Sequence, residues 1–598
     1  MRFLPSYADP SGGMCKQEAG HNSLVDNRQI GRVLHEIADL LDIKGDDAFR
    51  IRSYRMAAES VESCGHDIGE ILRRGEALPR LPGVGKGIEA KVRELLESGR
   101  CAFHQDLLAE VPAGLLELLR IPGLGPRGVH LVWTRLGVTG ARDLEAAIAD
   151  GRFRSLPGMK EKKEARIRKG LEETLRAAVR FLLTEADATV ARLSRHLRDH
   201  GALRVEAVGS YRRRRETVGD LDLLVLGDAA ALSEAFVTQA EVKEVLVRGA
   251  AKSSVILATG LQVDLRPFAP ESLGAALQYF TGSKAHNVAV RERAVRRKLK
   301  LNEYGVFEVE TGTKIAGATE EDVYGALGLA FIPPELREDR GEVAAAETGC
   351  LPRLVEVEDI QGDLHAHTTE SDGRDTLEAM VEAARGRGLQ YLAVTEHSRA
   401  IPSPRRGTGM DERRCLEHIA RIRSFQQRVA DIRLLAGIEV DILPDGRLDM
   451  DDEVLAQLDV VVASLHSRLE MERAAMTDRV LRAFENPHLQ IWGHPLSRLL
   501  LKREPVAIDV DRVIAEAGRR GIAVEINCQP DRLDLPDHYL RPARAAGARF
   551  VISTDSHSVH HFANLAYGVG QARRGWLARD DVLNTRGPDE LLAALRRH

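Results

Sequence analysis

"GSYRRRRETVGDLD" (residues 209–222) sets four consecutive arginines ahead of a glycine and two aspartates one residue apart. Side chains along a strand alternate faces. In "DLDLLVL", Asp220 and Asp222 therefore share one face, and Leu221, Leu223 and Val225 take the other. In "LQVDLRPF" (261–268), Asp264 lies between Val263 and Leu265 and stands on the polar face of a second apolar strand. Three carboxylates on neighbouring strands repel one another unless cations neutralise them. Two Mg²⁺ ions are the usual solution where phosphates are moved: one activates the attacking oxygen, the other stabilises the leaving phosphate.

Working outward, the chain of 598 residues is too long for one core and predicts roughly three to five domains. A net charge of −5 excludes a globally basic nucleic-acid binder, so affinity for DNA must come from local patches. The six cysteines form no CxxC pair, which argues against a thiolate zinc site or a disulfide framework and fits a reducing cytosol. With no apolar run of spanning length and no signal-peptide pattern, the expected location is cytoplasmic and nucleoid-associated. Residues 1–24 lack periodicity and are expected to form a disordered extension, with Met14 as an alternative start.

"IGRVLHEIADLLDI" opens a helical region by its apolar spacing. "LPGVGKGIEAKV" (81–92) and "IPGLGPRGVHLV" (121–132) repeat one pattern, with a weaker copy in "LPGMKEKKEARI" (156–167). Each reads as a helix-hairpin-helix turn, whose backbone N–H groups can hold a DNA phosphate without base readout. Gly83, Gly85, Gly123 and Gly125 form the first two turns. The expected layout is two helical domains (25–102 and 103–180), an α+β domain (181–270), a mixed domain (271–336), a linker (337–358), an α/β barrel (359–585) and a C-terminal tail (586–598).

"GSYRRRRETVGDLD", "QVDLR", "LQYFTGSKAHN" and "GALGLAFIPPELRE" resemble the bacterial family X DNA polymerases, relatives of DNA polymerase beta, over about 25–338. By this resemblance the α+β domain is a nucleotidyltransferase-type palm and the mixed one a thumb-like domain. The resemblance implies that Gly209, Ser210, Arg213 and Gly219 bind the incoming triphosphate. Asp220 and Asp222 would hold both of two Mg²⁺ or Mn²⁺ ions, with Asp264 beside the primer 3′-hydroxyl. Tyr279, Phe280 and Gly282 would line the sugar pocket, and Asn287 would meet the nucleotide's minor-groove edge. The arginine run then neutralises triphosphate and template charge. "AFRIRSYRMAA" (48–58) matches the family's 5′-phosphate-gripping domain, so Arg50, Tyr54, Arg55 and Lys91 are expected on DNA. Lys91 falls where some relatives form a Schiff base with an abasic sugar. A backbone contact or a solvated lysine is the competing reading, since Gly87 stands where those relatives carry another basic residue.

The second half carries "DLHAHTTESDG" (363–373), with His365 and His367 spaced for one metal. His397, Glu439, His466, His494, Asp555 and His557 follow, each near the carboxyl end of an apolar strand. Such ends converge at one mouth of a β/α barrel. With Asp372 there are nine N/O ligands, enough for about three ions, and imidazole with carboxylate suits Mn²⁺, Zn²⁺ or Fe. This half resembles the PHP (polymerase and histidinol phosphatase) family, a distorted (β/α)₇ barrel, and all nine ligand positions of that family match. Glu396 in "TEHS" departs from the family's usual Asp, "GHPLSRLL" lacks the usual Gly after the proline-threonine pair, and "TDSH" replaces "TDAH"; no departure removes a ligand.

The resemblance implies a monomeric repair polymerase. It would fill short gaps in gapped or nicked DNA with dNTPs, in base excision repair or end joining. Its barrel would act as a metal-dependent 3′–5′ exonuclease or 3′-end processor, with abasic-site nicking as a further activity. Two other readings remain: a small-molecule phosphatase with an inactive DNA-targeting front half, and a non-catalytic DNA-binding scaffold. Both predict damaged acids or histidines, and none is damaged.

Overall fold

The computed structural model describes residues 27–596 apart from 63, 65–67, 74–80, 113, 120 and 401–408. The extension expected over residues 1–24 lies outside the described residues. The chain divides into two compact units, one ending at Val179 and one beginning at Arg180.

The first unit is helical. Asn27–Lys44, Ala48–Glu62, Lys86–Ser98, Pro126–Leu136 and Glu161–Ala178 are its main helices. One apolar core runs from Ile30 to Leu171, so the two helical domains expected from the sequence share it. All three Gly turns close alike: Val84 N–H donates to Leu81 O (3.1 Å), Leu124 N–H to Ile121 O (3.0 Å) and Met159 N–H to Leu156 O (3.2 Å). Gly83, Gly123 and Gly158 have φ of 80°, 96° and 77°, a conformation only glycine adopts freely. Gly85 and Gly125 N-cap the next helices without a side-chain cap, which leaves backbone donators there for an anion.

A Cβ on Gly83 would lie 2.6 Å from Ala57 N, whereas on Gly123 the nearest atom is 3.5 Å away. Gly83→Ala is therefore expected to destabilise the protein by about 1–3 kcal/mol, and Gly123→Ala by less. Urea unfolding of the two variants measures the difference.

The second unit begins with a five-stranded palm sheet in the spatial order Arg204–Ala207, Asp220–Leu226, Gln262–Pro267, Ser253–Leu257, Val242–Val247. Asp220–Leu226 and Gln262–Pro267 run parallel, and their apolar faces share a core with the helix Leu183–Asp199. The thumb-like region follows with the helices Leu273–Thr281 and Lys284–Arg296, a three-stranded antiparallel sheet and the helix Glu320–Ala326. Seven parallel strands then pair strictly in chain order, from Gly362–Asp363 to Arg549–Ser553. A parallel bridge between Ala366 and Ser556 joins the first strand's extension to the last, so the barrel is nearly closed.

Two expectations are corrected. Residues 337–358 are not a loose linker. Glu342–Thr348 is a helix, Arg337 and Glu342 are fully buried, and Leu354 and Val355 enter apolar cores. The segment lacks periodicity because ion pairs fix it: Glu342 Oε1 meets His286 Nδ1 at 2.7 Å, and Arg337 Nη1 meets Glu320 Oε1 at 2.6 Å. The tail expected over 586–598 contains the helix Pro588–Leu595, whose Leu591 and Leu595 are buried in a barrel core.

Glu320 serves two guanidiniums, since Arg212 Nη2 also donates to it at 2.6 Å. Burial pushes the Glu320 carboxyl up, but Arg337 and Arg212 outweigh burial and hold it below the usual glutamate range. Glu320→Gln strands a fully buried Arg337, and the expected loss is about 3–5 kcal/mol. The wild-type contribution is full above the ordinary glutamate pKa and disappears as pH falls through the depressed folded value. The variant's stability deficit, measured by urea unfolding at successive pH values, should shrink in that acid range.

Candidate active sites

In the palm, strand register sets Asp222 directly opposite Asp264, and Asp220 opposite Gln262. Asp264 is oriented by three donors: Ser254 Oγ (2.6 Å), Gln262 Nε2 (3.2 Å) and Lys252 Nζ (2.5 Å). Gly209, at φ 66°, opens the short helix Gly209–Arg212. A Cβ there would sit 3.3 Å from Asp222 Oδ2, so the loop backbone lies against the carboxylate. Burial and the charges of Asp220 and Asp264 push the Asp222 carboxyl up to about 7. Burial and Asp264 raise Asp220 as well. Carboxylates forced together in this way hold protons when no cation is bound, and a divalent ion would replace those protons.

The four arginines are not a solvated face. Arg212 donates to Glu320 and to Thr281 Oγ1 (2.8 Å). Arg213 donates to Thr281 O and, from Nε, to Glu338 (3.1 Å). Arg214 faces Asp187 at 3.6 Å, and Arg215 faces Glu338 at 3.8 Å. Tyr279 and Phe280 end the helix Leu273–Thr281, and Gly282 follows at φ 66° with Arg213 Nη1 3.3 Å from its would-be Cβ. Asn287 donates to Tyr279 O (2.7 Å) and accepts from Gln278 (2.9 Å). It thereby braces the backbone of the expected sugar pocket. Ser210 and Gly219 flank the same loop.

In the first unit, Arg50 and Lys91 lie over the ring of Phe103 at 5.0 and 4.9 Å, and Tyr54 stacks on it at 6.2 Å. Phe103 went unremarked in the sequence because it lies outside the hairpin repeats. Arg55 pairs with Asp42 (2.7 Å) and Asp39 (3.4 Å) instead of joining this cluster.

The barrel brings all nine predicted ligands into one network. Three groups have ligand spacing: His367 with Asp372, His397 and His557; His365 with His367 and Asp555; and His397 with Glu439 and His466. Glu439 is the hub, with carboxylate oxygens 2.8 Å from His397, 3.3 Å from His365, 3.4 Å from His466 and 3.6 Å from His367. His494 enters through the same carboxylate at 2.9 Å. Burial pushes Glu439 up, but the surrounding imidazoles overcome it and hold the carboxyl well below the usual range. His365 Nε2, both nitrogens of His367, Asp372 Oδ1 and Glu439 Oε2 are buried and make no hydrogen bond, although all but His367 Nδ1 have charged groups at ion-pair distance. Buried polar atoms rarely stay unsatisfied, and an N/O set of this kind fits divalent metal ions. His494 and Asp555 adopt positive φ of 23° and 50°, backbone strain of the sort that gathers at functional sites.

Glu525 was missed. Its Oε1 accepts from His365 Nδ1 at 2.7 Å, and its Oε2 accepts from His494 N at 2.6 Å and Asn527 Nδ2 at 3.1 Å. It thus fixes the ring that His365 presents to the network. The available signal was "AVEIN" (523–527), one acid inside an otherwise apolar strand.

Fold and sites together define a nucleotidyltransferase palm carried on the same unit as a phosphoesterase barrel. Family models match residues 25–101 (Helix-hairpin-helix domain), 276–338 (DNA polymerase beta thumb) and 363–529 (PHP domain). The chain is 35% identical over 579 residues to the DNA polymerase/3′-5′ exonuclease PolX of Bacillus subtilis, covering 96% of this chain and 99% of that protein. It is also 25% identical over 236 residues to a protein of Thermoanaerobacter sp. named "Probable phosphatase", covering 37% of this chain and 89% of that protein. A protein of the same name from Acetivibrio thermocellus is 26% identical over 230 residues, covering 37% of this chain and 86% of it. The chain belongs to the family X DNA polymerases that carry a C-terminal PHP domain.

Proposed function

We propose that this protein fills short gaps in double-stranded DNA with dNTPs, and that its barrel trims or cleans 3′ ends by phosphoester hydrolysis. The observation that carries the first half is the register pairing of Asp222 with Asp264 beside Asp220. In this reading Asp220, Asp222 and Asp264 hold two Mg²⁺ or Mn²⁺ ions. The loop of Gly209, Ser210, Arg213 and Gly219 receives the triphosphate, and Tyr279, Phe280, Gly282 and Asn287 shape the sugar and base pocket. The hairpin glycines, with Arg50, Tyr54 and Lys91, hold the DNA backbone and the 5′-phosphate of the gap. Arg50 and Lys91 both sit on Phe103, so Lys91 is read here as a phosphate contact.

In the barrel the nine ligands hold about three ions of Mn²⁺, Zn²⁺ or Fe. Bound there, such ions supply Lewis acidity and a hydroxide nucleophile at neutral pH. The chain's own part is to aim the imidazole rings inward. Glu525 holds His365 Nδ1, and Asp441 Oδ1 accepts the His466 backbone N–H at 3.0 Å. The proteins named phosphatases correspond to the barrel half alone, and the palm carboxylates are intact, which favours a DNA substrate over a small phosphate ester. Among the described residues no helix is long and apolar enough to cross a membrane. We read the protein as a monomer acting on DNA in the cytoplasm.

The test is a 5′-labelled primer on a one-nucleotide gap with a downstream 5′-phosphate, given dNTPs and Mg²⁺ or Mn²⁺. Extension by one nucleotide, with primer shortening when dNTPs are withheld, is the expected result. A wild-type protein that does neither would sink the reading.

A further inference from the structure

We propose that Arg574, on the barrel helix Leu565–Arg574, is a positioning residue for the polymerase's nucleotide pocket. It holds the arginine loop in the conformation that receives the triphosphate. The inference rests on the reading of Gly209 and Arg213 given above.

Four residues of that helix, Tyr567, Gly570, Gln571 and Arg574, fall at i, i+3, i+4 and i+7, one helical face. Each meets the palm. Tyr567 Oη donates to Asp187 Oδ2 at 2.6 Å, while the other oxygen of Asp187 accepts from Tyr211 Oη at 2.6 Å. A Cβ on Gly570 would lie 3.4 Å from Arg214 Cβ, so the two backbones approach closely. Gln571 Nε2 donates to Glu216 Oε1 at 2.7 Å, and both oxygens of Glu216 accept from Arg498 of the barrel, at 2.6 and 3.1 Å. Arg574 Nη1 donates to Arg213 O at 2.7 Å and to Glu338 Oε1 at 3.0 Å, and its Nη2 donates to Asp537 at 2.9 Å.

Arg574 is 1% exposed. Glu338 also accepts from Arg213 Nε, so one carboxylate is shared by two guanidiniums. While Arg574 supplies half of that counter-charge, Arg213 is not the sole cation available to a largely buried carboxylate. Without Arg574, Glu338 must be neutralised by Arg213 and the more distant Arg215. Arg213 is then held more firmly to protein and its backbone carbonyl loses a donor. Both changes oppose transfer of its guanidinium to a nucleotide phosphate.

The experiment compares wild type, Arg574→Ala and the milder Tyr567→Phe in steady-state one-nucleotide gap filling, with primer shortening and thermal unfolding measured on the same preparations. The expected result is a KM for dNTP raised about 10-fold in Arg574→Ala and about 3-fold in Tyr567→Phe, with kcat and shortening within about two-fold of wild type. Arg574→Lys should recover part of the loss, since it keeps the charge but not the fork that reaches three acceptors. A KM unchanged in both variants, or a fall confined to kcat, would overturn the proposal. Should Arg574→Ala unfold, Tyr567→Phe alone decides. Failure of wild type to extend the primer would overturn the polymerase reading itself, and is distinguished by that control.

Discussion

Asp222→Asn should abolish primer extension and yet make the metal-free protein more stable. Asp222 lies opposite Asp264 and beside Asp220, and burial with their charge raises its carboxyl from 3.8 to about 7. A group whose folded pKa is raised costs stability once it ionises. The cost sets in as pH rises from 3.8 to about 7 and is full above that range. The isosteric amide removes the cost. On the proposed reading it also removes a ligand shared by two cations, whose Lewis-acid contribution would be worth several kcal/mol, so extension should fall by about 10³-fold or more. Thermal unfolding with a chelator present, at pH 8, should give a higher Tm for the variant, and primer shortening should be unchanged. A lower Tm would mean that Asp222 is stabilised in the apo fold, contrary to its crowding by Asp220 and Asp264.

The second large effect is expected at Glu439. This one carboxylate touches five imidazoles, those of His365, His367, His397, His466 and His494. Glu439→Gln keeps the shape but withdraws the negative charge on which the network converges. Primer shortening should drop about 10³-fold or more, while one-nucleotide extension stays within about two-fold. The metal content of the purified protein, measured by elemental analysis, should fall with it. A variant that retains wild-type metal content and shortening would show that the barrel network is not the hydrolytic centre. Because Asp222 and Glu439 sit on separate sheets, their effects should add in the double variant.

Much of this is legible in the sequence itself. The alternation in "DLDLLVL" and "LQVDLRPF" placed three carboxylates on one polar face, and the register agrees. The recurring LPG/IPG stretches mark turns that open helices, as the structure has them, and nine dispersed acids and histidines do meet at one barrel mouth. These signals are local: a period, a turn residue, a ligand at a strand end. What stayed hidden depends on partners far apart in the chain. Arg337 and Glu342 made residues 337–358 look like a polar linker, because nothing nearby reveals Glu320 or His286 as counter-groups. Arg213 looked free for phosphate because Glu338 and Arg574 lie 125 and 361 residues away. Glu525 and Phe103 act by supporting residues that carry the motifs, and support leaves a weaker pattern than ligation.

The bridge between Ala366 and Ser556 that nearly closes the barrel also imposes an order in time. A ribosome delivers the chain from its N-terminus, and domains tend to fold as they emerge. The palm carboxylates and their sheet are complete once residue 267 is out. The proposed hydrolytic centre cannot assemble until Asp555 and His557 arrive to meet His365 and His367. The helix Leu565–Arg574 follows within a few residues and docks on the arginine loop. A nascent or truncated chain therefore acquires its polymerase framework well before the power to degrade, and gains the two finishing contacts together.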